Sequence, residues 1–192
     1  MSLNRVFYFI KYLLRIPSSY GFGVQSPSAF YFIKYVINEK LPYYSYYDLA
    51  DQVNGLSDRT INLFQLYFRI TNYLQPFTWI DFVQNLDKQL SKYIKSACHR
   101  VRILASSDLP NISTFDIARI NEDDYNLFER LVQMANPHSL IIIENIYRSQ
   151  EMTSFWKSII ENERVSVTFD LLDCGLIFFD NRNKKHYKLL LR

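Results

Sequence analysis

The stretch that most constrains this chain is Leu140-Ile141-Ile142-Ile143, followed at once by Glu144, Asn145, Tyr147, Arg148 and Ser149. An unbroken apolar, β-branched run of this length is too short for a helix. It predicts a strand buried on both faces, as strands in a parallel sheet are. Beyond the polar residues, Met152, Phe155, Trp156, Ile159 and Ile160 recur at three- and four-residue spacings, which predicts an amphipathic helix. In an open α/β sheet, ligands sit in the crevice outside the carboxyl ends of such strands. The loop after Ile143 is therefore the first place to look for a site.

The flanking chain repeats the unit. Residues 77–82, 101–105 and 115–120 predict strands, and helical patterns cover 86–97 and 125–134, the second ending near Asn136-Pro137. Residues 165–171 and 175–179, joined by Leu172-Asp173-Cys174, predict a β-hairpin, and 186–191 a last extended segment. The sum is a mostly parallel sheet with an antiparallel edge.

Residues 1–75 differ in kind and read as helices. Leu3, Val6, Phe7, Ile10, Leu13 and Leu14 share one face, opposite Asn4, Lys11 and Arg15, until Pro17. This segment packs on its own domain or a partner, or lies on a membrane surface as basic amphipathic helices do. Its charges and the lack of a cleavage site make it a poor signal peptide. Ser26 caps the next helix with Pro27 at its first position, and Ser57 or Asp58 caps a longer one that Pro76 closes. At 192 residues the expectation is a single domain, 1–192, with a helical region at 1–75 and an α/β region at 76–192.

Composition excludes several functions. A net charge of +3 without any Lys/Arg block leaves no footprint for nucleic acid. No apolar run reaches the length of a membrane span. Cys98 and Cys174 read as buried reduced thiols of a cytoplasmic protein, with a disulfide as the alternative. The 15 Tyr and 15 Phe exceed what an ordinary core needs. Tyr43, Tyr44, Tyr46 and Tyr47 in particular predict packing, or a seam for a second copy or a protein partner.

With those elements in place, the chain resembles the class I S-adenosylmethionine (SAM) dependent methyltransferases, and among them a group typical of Bacteroidetes-type bacteria. The resemblance lies in Phe22-Gly23-Val24-Gln25-Ser26-Pro27 with Phe30, in Pro42-Tyr43-Tyr44, in 145–156, and in 165–179 with His186-Tyr187-Lys188. It implies a Rossmann-like sheet, SAM as cofactor, and a site at the strand ends. In that group two histidines usually stand where this chain has Phe22 and Gln25.

Measured against the family pattern, the implied site is altered. Asp81 keeps the acid after the first strand, but Val83 and Asp87 stand where glycines let the cofactor approach the backbone. The second strand lacks its terminal acid, and Asp108 is a displaced substitute for it. The loop 108–113 is too short for the next helix and strand, so the strand 101–105 should lie at a sheet edge, shielded by a helix, loop or partner. At the catalytic end, Asn121 and Glu122 replace an expected Asp, and Glu144, Asn145 and Tyr147 replace a more acidic, histidine-bearing loop.

Glu122, Asp123 and Asp124 with Asn121 and Glu144 read either as oxygen ligands for a metal or, more simply, as a helix start. His99, His138 and His186 lie on separate elements without a nucleophile pattern. The expectation is a methyltransferase-like protein without catalytic residues, metal or bound cofactor, acting as a binding or assembly module. The alternative is an active SAM-dependent enzyme with a remodelled site.

Overall fold

The computed structural model describes residues 15–16, 19–41, 43–50, 55–83 and 88–191. The expected first helix lies outside these apart from Arg15 and Ile16, as do Pro42 and Asp87. The elements are α1 (Pro27–Phe32), continued by one π-helical turn at Ile33–Ile37, then α2 (Tyr44–Ala50), α3 (Asp58–Leu74), β1 (Thr78–Asp81), α4 (Lys88–Ala97), β2 (Arg102–Ala105), a 3-10 turn (Ser106–Asn111), β3 (Phe115–Ile120), α5 (Tyr125–Met134), β4 (Ala135–Glu144), α6 (Gln150–Glu161), β5 (Val167–Asp170), β6 (Cys174–Phe178) and β7 (Lys185–Lys188).

The strands form one sheet in the order β2-β1-β3-β4-β6-β5-β7. The first four are mutually parallel, while β6 runs antiparallel to both β4 and β5. This is the mostly parallel, Rossmann-like α/β sheet with an antiparallel C-terminal hairpin that the resemblance implied, one outer strand short. Among the described residues no strand lies outside β2. Its Ala105 N–H is instead held by the Asp108 carboxylate at 3.0 Å, so the edge is blunted by its own following loop. The last segment adds β7 outside β5, in parallel, where Lys185 and Lys188 guard the opposite edge.

Local chemistry explains the helix starts. The hydroxyls of Ser26, Ser57 and Ser149 and the carboxylate of Asp124 each accept from a backbone N–H of the first turn. The Asn136-Pro137 boundary differs from expectation. α5 stops at Met134 and the chain enters β4 directly, with a bulge between the Phe115–Ala135 and Ile117–Leu140 pairs. Pro137 has no N–H for a ladder, and Ser139 replaces the lost bonds by accepting from Asn136 N and donating to Phe115 O.

Two cores flank the sheet. One lies under α1, α3 and α4 and includes Trp79, Ile117, Leu140 and Ile142; the other lies under α5 and α6 and includes Ile80, Ala118, Ile141 and Ile143. The alternation along each strand sends successive side chains to opposite cores. Tyr43 and Tyr46 pack on Phe68, at 5.1 Å each, whereas Tyr44 and Tyr47 on the other side of α2 are 93 % and 65 % exposed.

The amino-terminal segment is wired to the far end of the chain. Arg15 grips the fully buried Asp170 through Nη1 and Nη2 at 2.6 and 2.8 Å, and Ser19 Oγ accepts from Leu190 N at 2.7 Å. Both cysteines are free and buried.

Gly175 in β6 is required by close approach, since a Cβ there would lie 2.5 Å from the Trp156 ring of α6. Gly175→Ala is expected to cost about 1–3 kcal/mol of stability by overpacking. In urea melts, the loss should fall short of additivity when combined with Trp156→Leu, because the ring is what the methyl meets.

Candidate functional site

The crevice at the carboxyl ends of β1, β3 and β4 is where the sheet presents its polar residues. Asp81 is the last residue of β1 and stands in register with Arg119 on β3; Arg119 stands in register with Ile142, so Glu144 lies two residues on and on the same face. That face is the one covered by α3. Three charged side chains therefore meet beneath a helix, sealed from most solvent.

Arg119 is 4 % exposed. Its Nη2 donates to Asp81 Oδ2 at 2.7 Å, Nε reaches both Asp81 oxygens, and Nη1 donates to Glu144 Oε1 at 2.9 Å. From α3, the Tyr67 hydroxyl donates to the same Glu144 oxygen at 2.6 Å, and the guanidinium lies 5.9 Å from the Tyr67 ring centre. Asp81 also accepts from Val83 N at 2.9 Å.

Burial acts to lower the Arg119 guanidinium, but Glu144 and Asp81 outweigh it and hold the group above its ordinary value. Burial drives the Tyr67 phenol far up, and Glu144 adds to it, so Tyr67 stays protonated and can only donate to Glu144. The cluster thus carries two carboxylates and one cation, mutually satisfied.

Above it lies a cleft of about 300 Å³ lined by Arg59, Phe64, Val83, Arg119, Glu144 and Asn145 among others. Arg59 at the start of α3 closes one side through Asp173 at 2.7 Å and Asn145 Oδ1 at 3.1 Å. Asn145 at this mouth has φ of 54°, and Leu172, next to Asp173, has φ of 75°. A leucine in that region is strained, and the bond from Asn145 N to Asp173 O holds the two turns together.

The sequence-derived residues separate here. Val83, Glu144 and Asn145 line the cleft, and Asp81 lies beneath it, bonded to Arg119 and Val83 N. Asp108 does neither, because it is engaged at the β2 edge. Asn121 follows β3 at partial exposure without a role in the cluster. Tyr147 turns away to the amino-terminal anchor, bonding Asp170 and accepting from Arg15 Nη2 at 3.2 Å. Asp124 caps α5 and Asp123 lies 3.7 Å from Arg148, so the acidic run serves the helix start; among the described residues no group of three His, Cys, Asp or Glu is placed to hold a metal.

His186 bonds Thr168 and is depressed by burial, while His99 and His138 are exposed at other elements. Arg119, Tyr67 and Arg59 were not visible as site residues from sequence. The available signal was an arginine near the carboxyl end of the strand 115–120, between Ala118 and Ile120.

No family model and no curated protein matches the sequence. Among solved structures, the chain is similar to the O-methyltransferase TomG of Streptomyces achromogenes, involved in tomaymycin synthesis, in complex with SAM. The identity is 12 %, the coverage 91 % of this chain and 99 % of that one, and the TM-score 0.47. It is also similar to a Bacillus cereus O-methyltransferase in complex with S-adenosylhomocysteine (SAH), at 15 % identity over 76 % and 96 % of the two chains with TM-score 0.41. An SAH-bound methyltransferase of Podospora anserina matches at 8 % over 82 % and 97 %, TM-score 0.47. Likenesses this distant carry no weight for chemistry, and the strand order and contacts of the chain itself support the reading below.

The buried cluster makes a pH-dependent prediction. Burial raises the Asp81 carboxyl above its ordinary value, against the opposing pull of Arg119. The folded state therefore holds this proton more tightly than the unfolded chain. The group's contribution favours the fold at low pH and is lost as pH climbs from an unfolded value of about 3.9 through the raised folded one. Removing Arg119 removes the pull and raises the carboxyl further. Arg119→Met should cost about 3–5 kcal/mol near pH 7 and visibly less at about pH 5, where protonation relieves the stranded acid. Equal losses at the two pH values would contradict this arrangement.

Proposed function

We propose that the chain is a methyltransferase-like protein that has lost SAM binding and serves as a non-catalytic binding or assembly module in the cytoplasm. The observation that carries this reading is the Arg119 guanidinium. It lies in the crevice between the acid of β1 and the acid of β4 and uses the hydrogen-bonding capacity that a cofactor would need.

Three further features support it. Val83 places a branched side chain in the cleft wall, and its N–H turns inward to Asp81 rather than outward to a ligand. The cleft, at about 300 Å³, sits at the bottom of the range of about 300–1,000 Å³ typical of ligand pockets. Beyond β2 the described chain offers only a 3-10 turn where a further strand would wall an adenine. The residues present therefore do not fit SAM. The Bacteroidetes-type motifs in 22–30 and 165–188 are consistent with descent from a functional enzyme of that group. The exposed outer face of α2 suits self-association or a protein partner.

Calorimetry tests the reading. Wild type should bind SAM no tighter than about 1 mM, about −4 kcal/mol. Val83→Gly with Asp87→Gly should not restore binding, because Arg119 still fills the crevice. Micromolar binding by wild type would overturn the proposal and favour an active methyltransferase with a remodelled site.

A further inference from the structure

The amino-terminal rim of the parallel strands, opposite the crevice, carries a larger cavity. A groove of about 650 Å³ opens where α3 passes into β1 and where β6 ends, well within the size range of small-molecule sites. Its walls are aromatic: Phe32 and Phe178 are buried at its floor, while Tyr73 and Phe77 stand at its mouth, 48 % and 61 % exposed. Phe77 precedes a strand buried from Trp79 to Asp81, and its exposure satisfies no packing need of that strand.

These side chains are held in place. Both Phe77 N and Thr78 N donate to Asp116 Oδ2, at 2.8 and 2.9 Å, which fixes the entry to β1. Arg100 lies 4.3 Å from the Phe77 ring centre and donates from Nη2 to the Gln75 carbonyl at 2.6 Å. Arg182 lies over Phe178 at 5.1 Å and is matched by Asp180.

Charge then selects the occupant. Asp116 is occupied by two backbone N–H groups and the Thr78 hydroxyl, and Asp180 by Arg182 and Ser166. Among the described residues, the Arg100 guanidinium has no carboxylate partner and keeps donors to spare. A neutral aromatic molecule would leave that cation unanswered, and an inorganic anion would leave the rings uncovered. A flat ring bearing an acid answers both: the ring adds to the Phe77 and Tyr73 faces, and the acid takes the guanidinium fork.

We propose that this groove binds a small aromatic carboxylate, with its ring against Phe77 and Tyr73 and its acid on Arg100. The site is independent of the crevice and goes beyond the reading given for it.

Calorimetry on the full chain with indole-3-acetate tests this, with indole and acetate as separate probes. Indole-3-acetate is expected to bind with Kd below about 1 mM, and indole and acetate at least about tenfold more weakly. Phe77→Ser and Arg100→Gln, both at exposed positions, should each weaken indole-3-acetate about tenfold or more, Tyr73→Ser should also weaken it, and Arg59→Gln at the crevice should leave it unchanged. The proposal is overturned if wild type shows no binding by about 10 mM, if Phe77→Ser and Arg100→Gln bind as wild type does, if indole binds as tightly as its acid, or if Arg59→Gln is as damaging as Arg100→Gln.

Discussion

The sheet depends on one buried guanidinium. Taking Arg119, Asp81 and Glu144 out of water costs several kcal/mol per ion, and only a geometry that satisfies each of them can offset it. The parallel register supplies that geometry, because it places one charged residue from each of β1, β3 and β4 on the same face. Tyr67 closes the arrangement from α3. The amino-terminal helical region is thereby joined to the sheet by polar bonds as well as by apolar packing. A crevice whose charges are bonded to one another offers little to a ligand. In this chain the ends of β1, β3 and β4 contribute to cohesion through these bonds.

The opposite rim shows the converse balance. There the acids are occupied with the backbone and with Arg182, while exposed rings and Arg100, without a carboxylate partner among the described residues, face outward. Buried polar groups that satisfy each other stabilise, and exposed groups that do not are available for recognition. The contrast between the two ends of the sheet is a difference in where hydrogen-bonding capacity is left over.

Much of the architecture was legible because its causes are local. The apolar run ending at Ile143, the alternating strand and helix units, the hairpin and the Ser26, Ser57 and Ser149 caps all depend on residues within a few positions of one another. The edge position of β2 followed from the shortness of the loop behind it. Arg119 was not legible as the centre of the site, since its partners lie 38 and 25 residues away and become neighbours only through strand register. Tyr147 was legible as a polar residue after β4, but its direction is set by Arg15 and Asp170, which local pattern cannot see. The β4 bulge escaped for a related reason: Pro137 reads as a terminator, and only Ser139 bonding across to Phe115 lets the strand continue through it.

The pairing of Arg15 with Asp170 spans 155 positions of sequence, and that separation has a consequence for the order in which the molecule is built. A chain emerging from the ribosome exposes Arg15 well before Asp170 is made. Until then Arg15 has no carboxylate to meet, and Ser19 has no Leu190 N–H to accept. The segment at Arg15 and Ser19 must wait for β5 and Leu190 to be made. Closing so long a loop is entropically slow. This clasp therefore closes only after both β5 and Leu190 have been made, and the nascent chain is open to premature association in the interval before it.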